Sequence, residues 1–262
     1  MMRTHGKPPF TTAVVHGGPG AKGSLYFLAK ELSSYTGVLE PIQTQYTPQA
    51  LAEELKEQLT PFAKTPLVGV GHSWGAWLLL LTARQYPQLF KKLILIGCPP
   101  LTPQYAAKIQ ERRLDNLPLP LAKRYVHAIK TLQQGPQEAQ AAALQELGAL
   151  CERADNVDPL DLGPDPDGLQ PDEKAFSQVW PLAQALRQNG DLLNALRQLS
   201  LPVTLIQGQQ DPHPAQGVYE PFARCAKPLT VHILPACGHS PFAERQAKGP
   251  FYILLRKLIL EN

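Results

Sequence analysis

What this sequence lacks narrows its function before any motif is read. Charged residues are only 18% of its 262 residues, below the usual quarter, and the net charge is +3. No basic stripe interleaved with aromatics appears, so a nucleic-acid partner is not expected. The four cysteines (Cys98, Cys151, Cys225, Cys237) are widely spaced and form no Cys-x-x-Cys, so free thiols in a reducing compartment are expected. Residues 1–10 hold no apolar core of signal-peptide length. The longest apolar run, Ala76 to Leu81, is far too short to span a bilayer. The expectation is a cytoplasmic protein with no membrane partner. No Gly-x-Gly-x-x-Gly and no Gly-Lys-Ser/Thr occurs, which argues against a phosphate-cradling loop. His232, Cys237 and His239 are metal-ligand types, but His232 falls in a strand pattern and no complete ligand set is spaced around it. No metal and no cofactor are expected. Neither an internal repeat nor a low-complexity tract is present beyond the Ala/Gln-rich residues 137–145, which read as helix.

What is present is an alternation of two periodicities. Short β-rich runs at Phe10–Val15, Val38–Ile42, Leu67–Val70 and Lys92–Gly97 alternate with helical spacings at Ser24–Leu32, Pro48–Leu59 and Trp74–Arg84. Strand and helix in turn imply a parallel sheet covered by helices on both faces. From about residue 99 to 200 no strand pattern is found. Helical stretches stand there instead (105–114, 121–132, 136–153, 173–186 and 192–199), with Asp155–Pro171 read as a long exposed loop rich in Asp, Pro and Gly. The sheet resumes at Pro202–Gly208, followed by a helix near 214–225, a strand at Leu229–Leu234 and a final helix at Phe251–Leu260. The expected division is a core of residues 1–98 and 201–262 and a helical cap of residues 99–200.

One stretch carries chemistry. Gly71-His72-Ser73-Trp74-Gly75 follows an uncharged strand and opens a helix, and a serine on such a turn is placed as a nucleophile elbow. Gly71 and Gly75 leave room where the helix passes its own strand. A serine hydroxyl needs a base, and the base needs an orienting acid. Asp211 follows one later strand and His239 the next, and the C-terminal ends of parallel strands share one edge. Asp211 also fits a helix cap, but the strand Leu93–Ile96 ends in Gly97-Cys98-Pro99-Pro100, with no rival carboxylate. The expected catalytic residues are Ser73, Asp211 and His239. The backbone N–H of Trp74 and one from His16-Gly17-Gly18-Pro19-Gly20 are the expected oxyanion donors, Gly18 being favoured over Gly17. His72 and His16 are read as structural, His213 as loop surface, and Trp77 as core.

With these residues assembled, the sequence resembles the α/β-hydrolase superfamily, and within it the proline-iminopeptidase-like branch. The branch marks are His16-Gly17-Gly18-Pro19-Gly20 and the Trp after the nucleophile in Gly71-His72-Ser73-Trp74-Gly75. The resemblance implies an α/β-hydrolase fold and release of an N-terminal residue from short peptides. Relatives often begin with an antiparallel hairpin; too few residues precede the first strand here, so a sheet of about six strands without it is expected. Three departures weaken the branch reading. His72 stands where a second glycine is usual. Ile42-Gln43-Thr44-Gln45-Tyr46 stands where Asp-Gln-Arg-Gly is usual. No cap acid aligns with the one that binds a substrate ammonium. The expected activity is therefore a serine hydrolase cleaving an ester, amide or N-terminal peptide bond of a small molecule or short peptide. A carboxylesterase, thioesterase or carbon–carbon bond hydrolase using the same residues is the alternative. A non-catalytic binding protein on the same frame is the alternative from another class.

Overall fold

The computed structural model describes residues 1–63 and 65–261. Seven strands form one sheet in the order β1-β3-β2-β4-β5-β6-β7: β1 (Met2–His5), β2 (Phe10–Val15), β3 (Gly37–Pro41), β4 (Leu67–His72), β5 (Phe90–Ile96), β6 (Val203–Gly208) and β7 (Thr230–Leu234). All neighbours pair in parallel except β1 with β3. Ten helices flank or follow these strands: α1 (Tyr26–Leu32), α2 (Pro48–Leu59), α3 (Trp74–Gln85), α4 (Pro103–Asn116), α5 (Leu119–Gln134), α6 (Gln137–Asp155), α7 (Glu173–Gln188), α8 (Asp191–Gln198), α9 (Gln216–Arg224) and α10 (Lys248–Leu260).

The two faces follow from the period of two in the strands. Ala13, Val15, Leu93, Leu95 and Leu205 point to the face covered by α2, α3 and α8. Val14, Val68, Val70, Ile94, Ile96 and Ile206 point to the face covered by α1 and α10. On β4 the residues facing α3 are glycines, so this helix lies close against the middle of the sheet. Its residues Trp74 to Ala83 are all buried, which explains why it is apolar on every side. A smaller apolar cluster of Leu117, Tyr125, Leu150 and Ala154 holds α5 and α6 together away from the sheet.

The sheet differs from expectation at its edge. Residues 2–5 form an antiparallel strand, Met2 opposite Pro41 and His5 opposite Val38, so the sheet has seven strands rather than about six. There is still no hairpin, because β1 joins the sheet beside β3 and not beside β2. Met2-Arg3-Thr4-His5 has no apolar alternation to announce a strand. Its side chains are instead held by polar partners: His5 Nε2 lies 2.7 Å from Glu40, which is fully buried, and Arg3 pairs with Asp165 at 2.5 Å.

Two glycines in helices make opposite predictions. A Cβ on Gly75 would overlap the carbonyl oxygens of Val15 and His16, whereas one on Gly148, on the exposed side of α6, would meet nothing within 4 Å. Gly75→Ala is expected to destabilise the fold by about 3 kcal/mol or more. Gly148→Ala is expected to stabilise it by about 0.5–1 kcal/mol. Thermal and denaturant unfolding measure both; a neutral Gly75→Ala would contradict the close approach of α3 to β2.

Candidate active site

Ser73 occupies the one-residue turn between β4 and α3. Its backbone angles, φ 53° and ψ −120°, lie where a side chain is strained. The turn is held by surrounding backbone: Ser73 N–H donates to Ile96 O at 2.9 Å, and a Cβ on Gly17 would stand 3.1 Å from Ser73 Cβ. Strain at this residue presents its hydroxyl at the C-terminal edge of the sheet.

Asp211 follows β6 by three residues, and its side chain is almost fully buried. It is not the cap of α9, whose N-cap residue is Ala215. The carboxylate meets His239 instead: Nδ1–H of His239 donates to Oδ2 at 2.9 Å, and Gln207 Nε2–H donates to the same oxygen at 2.6 Å. Burial opposes the charge of Asp211, but the neighbouring imidazoles outweigh it and hold the carboxyl well below its ordinary range. For His239 burial again opposes charge, and Asp211 outweighs it, so this imidazole stays protonated to higher pH than an ordinary histidine. With Nδ1 donating, Nε2 carries the lone pair. Among the described residues no hydrogen bond joins Ser73 Oγ to this ring; both residues line one cavity of about 670 Å³.

Residues 13–248 match the model of a family described as the alpha/beta hydrolase family. The chain belongs to that family. Mouse (Mus musculus) epoxide hydrolase 3 is 24% identical over 200 residues, which is 74% of this chain and 52% of that protein, so the chain spans about half the length of this relative. Among solved structures, VinJ superposes with a TM-score of 0.69 at 17% identity, over 99% of this chain and 95% of that one. Proline iminopeptidase from Mycobacterium smegmatis superposes with a TM-score of 0.63 at 16% identity, over 98% and 93%. The iminopeptidase is thus one likeness among several, and at these identities the structures share the fold.

Within this member of the alpha/beta hydrolase family the histidine loop is held by groups that the sequence did not single out. His239 N–H donates to Asp155 O at 2.7 Å, and Asp155 itself takes both arms of the Arg113 guanidinium at 2.6 Å. The fully buried Glu244 accepts from Gly238 N at 2.6 Å, Val157 N at 3.0 Å and Asp158 N at 3.0 Å. The loop read as long and exposed is therefore tied down: Leu160 N donates to Ala243 O at 2.7 Å, and Lys22 pairs with Asp172 at 2.7 Å. Pro159 to Gly163 line the cavity together with Gly17, Gly18, Ser240 and Phe242.

The remaining histidines divide. His213 is not loop surface: it is buried, and its Nδ1–H and backbone N–H both donate to Asp211 Oδ1 at 2.9 Å. Its spacing, Asp-x-His, was the available signal. His72 donates from Nε2 to His239 O at 3.1 Å, and burial together with His239 lowers its pKa to about 3, so it is neutral. His16 braces the glycine loop through Gly17 O, while Gln43 Nε2 donates to His16 O at 3.1 Å. Gln43 also accepts from the indole of Trp74 at 2.9 Å, so the side chain of Trp74 is core, as is Trp77, whose indole donates to Pro99 O. Gly18 has φ +30°, and among the described residues its N–H has no protein acceptor.

Glu244→Ala would strand three N–H groups in and around the histidine loop. The expected loss is about 2 kcal/mol, since a buried unpaired N–H costs roughly 1–3 kcal/mol and only that of Gly238 is buried, those of Val157 and Asp158 being partly exposed. Glu244→Gln, which keeps an acceptor oxygen, should lose less than half as much. Equal unfolding midpoints for Glu244→Ala and wild type would contradict this bracing role.

Proposed function

We propose that this protein is a serine hydrolase that cleaves an ester, amide or N-terminal peptide bond of a small substrate through an acyl-enzyme. The observation that supports this reading best is the Asp211–His239 pair, which leaves Nε2 of His239 unprotonated in the cavity that Ser73 also lines. Ser73 Oγ attacks the carbonyl carbon as Nε2 of His239 takes its proton. Asp211 holds the imidazole and stabilises its charged form. The N–H groups of Trp74 and Gly18 receive the oxyanion. The imidazolium then protonates the leaving group, and a water activated by His239 releases the acid and restores Ser73. No metal or cofactor enters this scheme.

Residues 99–200 act in this reading as the cap, with loop 156–163 closing the cavity over Ser73. The charges that line this cavity bear on substrate class. Glu152 and Asp161 are carboxylates in its wall, and among the described residues no Lys or Arg lines it. A neutral or amine-bearing acyl compound therefore suits it better than an anionic one. That charge pattern supports the aminopeptidase reading more than the sequence alone did. Among the described residues no helix is long and apolar enough to cross a membrane, and the four cysteines are free.

A fluorophosphonate probe is expected to label the wild-type protein at Ser73 and to leave Ser73→Ala unlabelled; persistent labelling of that variant refutes the assignment. The working base is neutral His239, so labelling should be lost as pH falls through its pKa. Because that pKa is raised, the midpoint should lie above the ordinary histidine value of about 6.5. Paired assays of aminoacyl, neutral acyl and succinyl esters test the charge argument. Asp161→Asn should raise KM for the aminoacyl ester about threefold and leave kcat unchanged, the size expected for a solvent-screened pair.

A further inference from the structure

Asp211 holds two imidazoles, one more than the mechanism above employs. Its Oδ2 receives Nδ1–H of His239 at 2.9 Å, and its Oδ1 receives Nδ1–H of His213 at 2.9 Å. The two rings lie side by side, centroids 4.4 Å apart and planes 31° to one another. Residue 213 is fixed at both ends to the same partners: its backbone N–H donates to Oδ1 at 2.9 Å, and its carbonyl accepts from Gln207 Nε2 at 2.8 Å. A surface histidine would need none of this.

We infer that His213 is a positioning residue for the base, a neutral imidazole that occupies one carboxylate oxygen of Asp211 so that the other is aimed at His239. The inference rests on the proposed roles of Asp211 and His239. With Nδ1–H of His213 in place, the carboxylate cannot turn about its Cβ–Cγ bond without breaking a charge-assisted hydrogen bond. Its negative charge is also shared between two imidazole donors. Without that donor, Asp211 becomes more basic and draws the proton on His239 more strongly. The imidazolium would then form too readily and give up its proton to a leaving group less readily.

The role requires His213 to stay neutral, and its surroundings supply that. The groups that face it are Asp211 and His239, Asp155 at the end of α6 with its partner Arg113 of α4, and His72 at the end of β4. Burial, and then the charge of His239, push its pKa down, whereas Asp211 outweighs burial at His239 and pushes that one up, so the shifts favour His239 as the first of the pair to take a proton.

Two variants separate positioning from packing. His213→Phe keeps a ring and removes the donor; His213→Asn keeps an N–H near the place of Nδ1. With p-nitrophenyl acetate, His213→Phe should lower kcat roughly tenfold, the size of one lost hydrogen bond to a charged group, with KM little changed. Its acid limb should move to higher pH. His213→Asn should keep both kcat and the limb close to wild type. A wild-type profile in His213→Phe, or equal changes in both variants, overturns the inference. Should His213→Phe fail to fold, ¹⁵N-histidine spectra of wild type and His213→Asn decide it. Two low-field Nδ1–H resonances in the wild type and one in the variant are expected, and a single one in the wild type overturns it. A wild type that fluorophosphonate does not label at Ser73 overturns the serine mechanism and this role together. Labelling with an unchanged His213→Phe profile overturns this role alone.

Discussion

A carboxylate shut away from water must be surrounded by donors, and the arrangement around Asp211 follows from that requirement. Its oxygens take four hydrogen bonds, from two imidazoles, one amide side chain and one backbone N–H. Left unpaired, such a charge would cost several kcal/mol and would simply take up a proton. Satisfied, it stays ionised and forces each histidine to present Nδ1–H to it. The tautomer of His239 is thus fixed by the desolvation of Asp211, and the free Nε2 is a consequence. Glycine at position 97 belongs to the same constraint, since a Cβ there would stand 3.0 Å from Nδ1 of His239.

The second tie is between the histidine loop and the helical segment after β5. Asp155 ends α6, and its carbonyl holds the N–H of His239, while the carboxylate is paired with Arg113 of α4. Glu244, after His239, reaches forward to Val157 and Asp158. The base and the wall of loop 156–163 are therefore one hydrogen-bonded unit. A group that displaces this wall transmits the displacement to His239 through two or three backbone hydrogen bonds, each individually worth only about 1 kcal/mol.

Much of this was legible in the sequence, for reasons that differ by element. The strands β2, β4 and β6 and the Leu93–Ile96 half of β5 are largely buried on both sides and announce themselves as uncharged apolar runs; α3, lying against the sheet centre, is apolar all round. The turn that carries Ser73 was legible because it needs glycine on either side, and the meeting of Asp211 with His239 because strand ends in a parallel sheet converge. β1 was not legible, since its place depends on Arg3 and His5 meeting Glu40 and Asp165 far along the chain. The extent of burial at His213 was equally hidden. The Asp-x-His spacing permits the contact with Asp211 but does not say whether the ring turns to it or to water. Glu244 and Asp155 do not stand out in the sequence because their partners are backbone N–H groups and a distant arginine, which leave no trace in composition.

The absence of a hydrogen bond between Ser73 and His239 is consistent with the same physics. A hydroxyl bonded to Nε2 gains little over one bonded to water, so the geometry of the pair is not held by that contact. What is held is His239: its ring by Asp211, its backbone N–H by Asp155 O and its carbonyl by His72 Nε2. The serine is held by a strained turn that cannot relax without pulling α3 from β2. In the proposed mechanism, closing the last gap falls to the substrate. Filling the cavity between loop 156–163 and the glycine loop removes the water that competes for Oγ, and the proton then has one acceptor left to it.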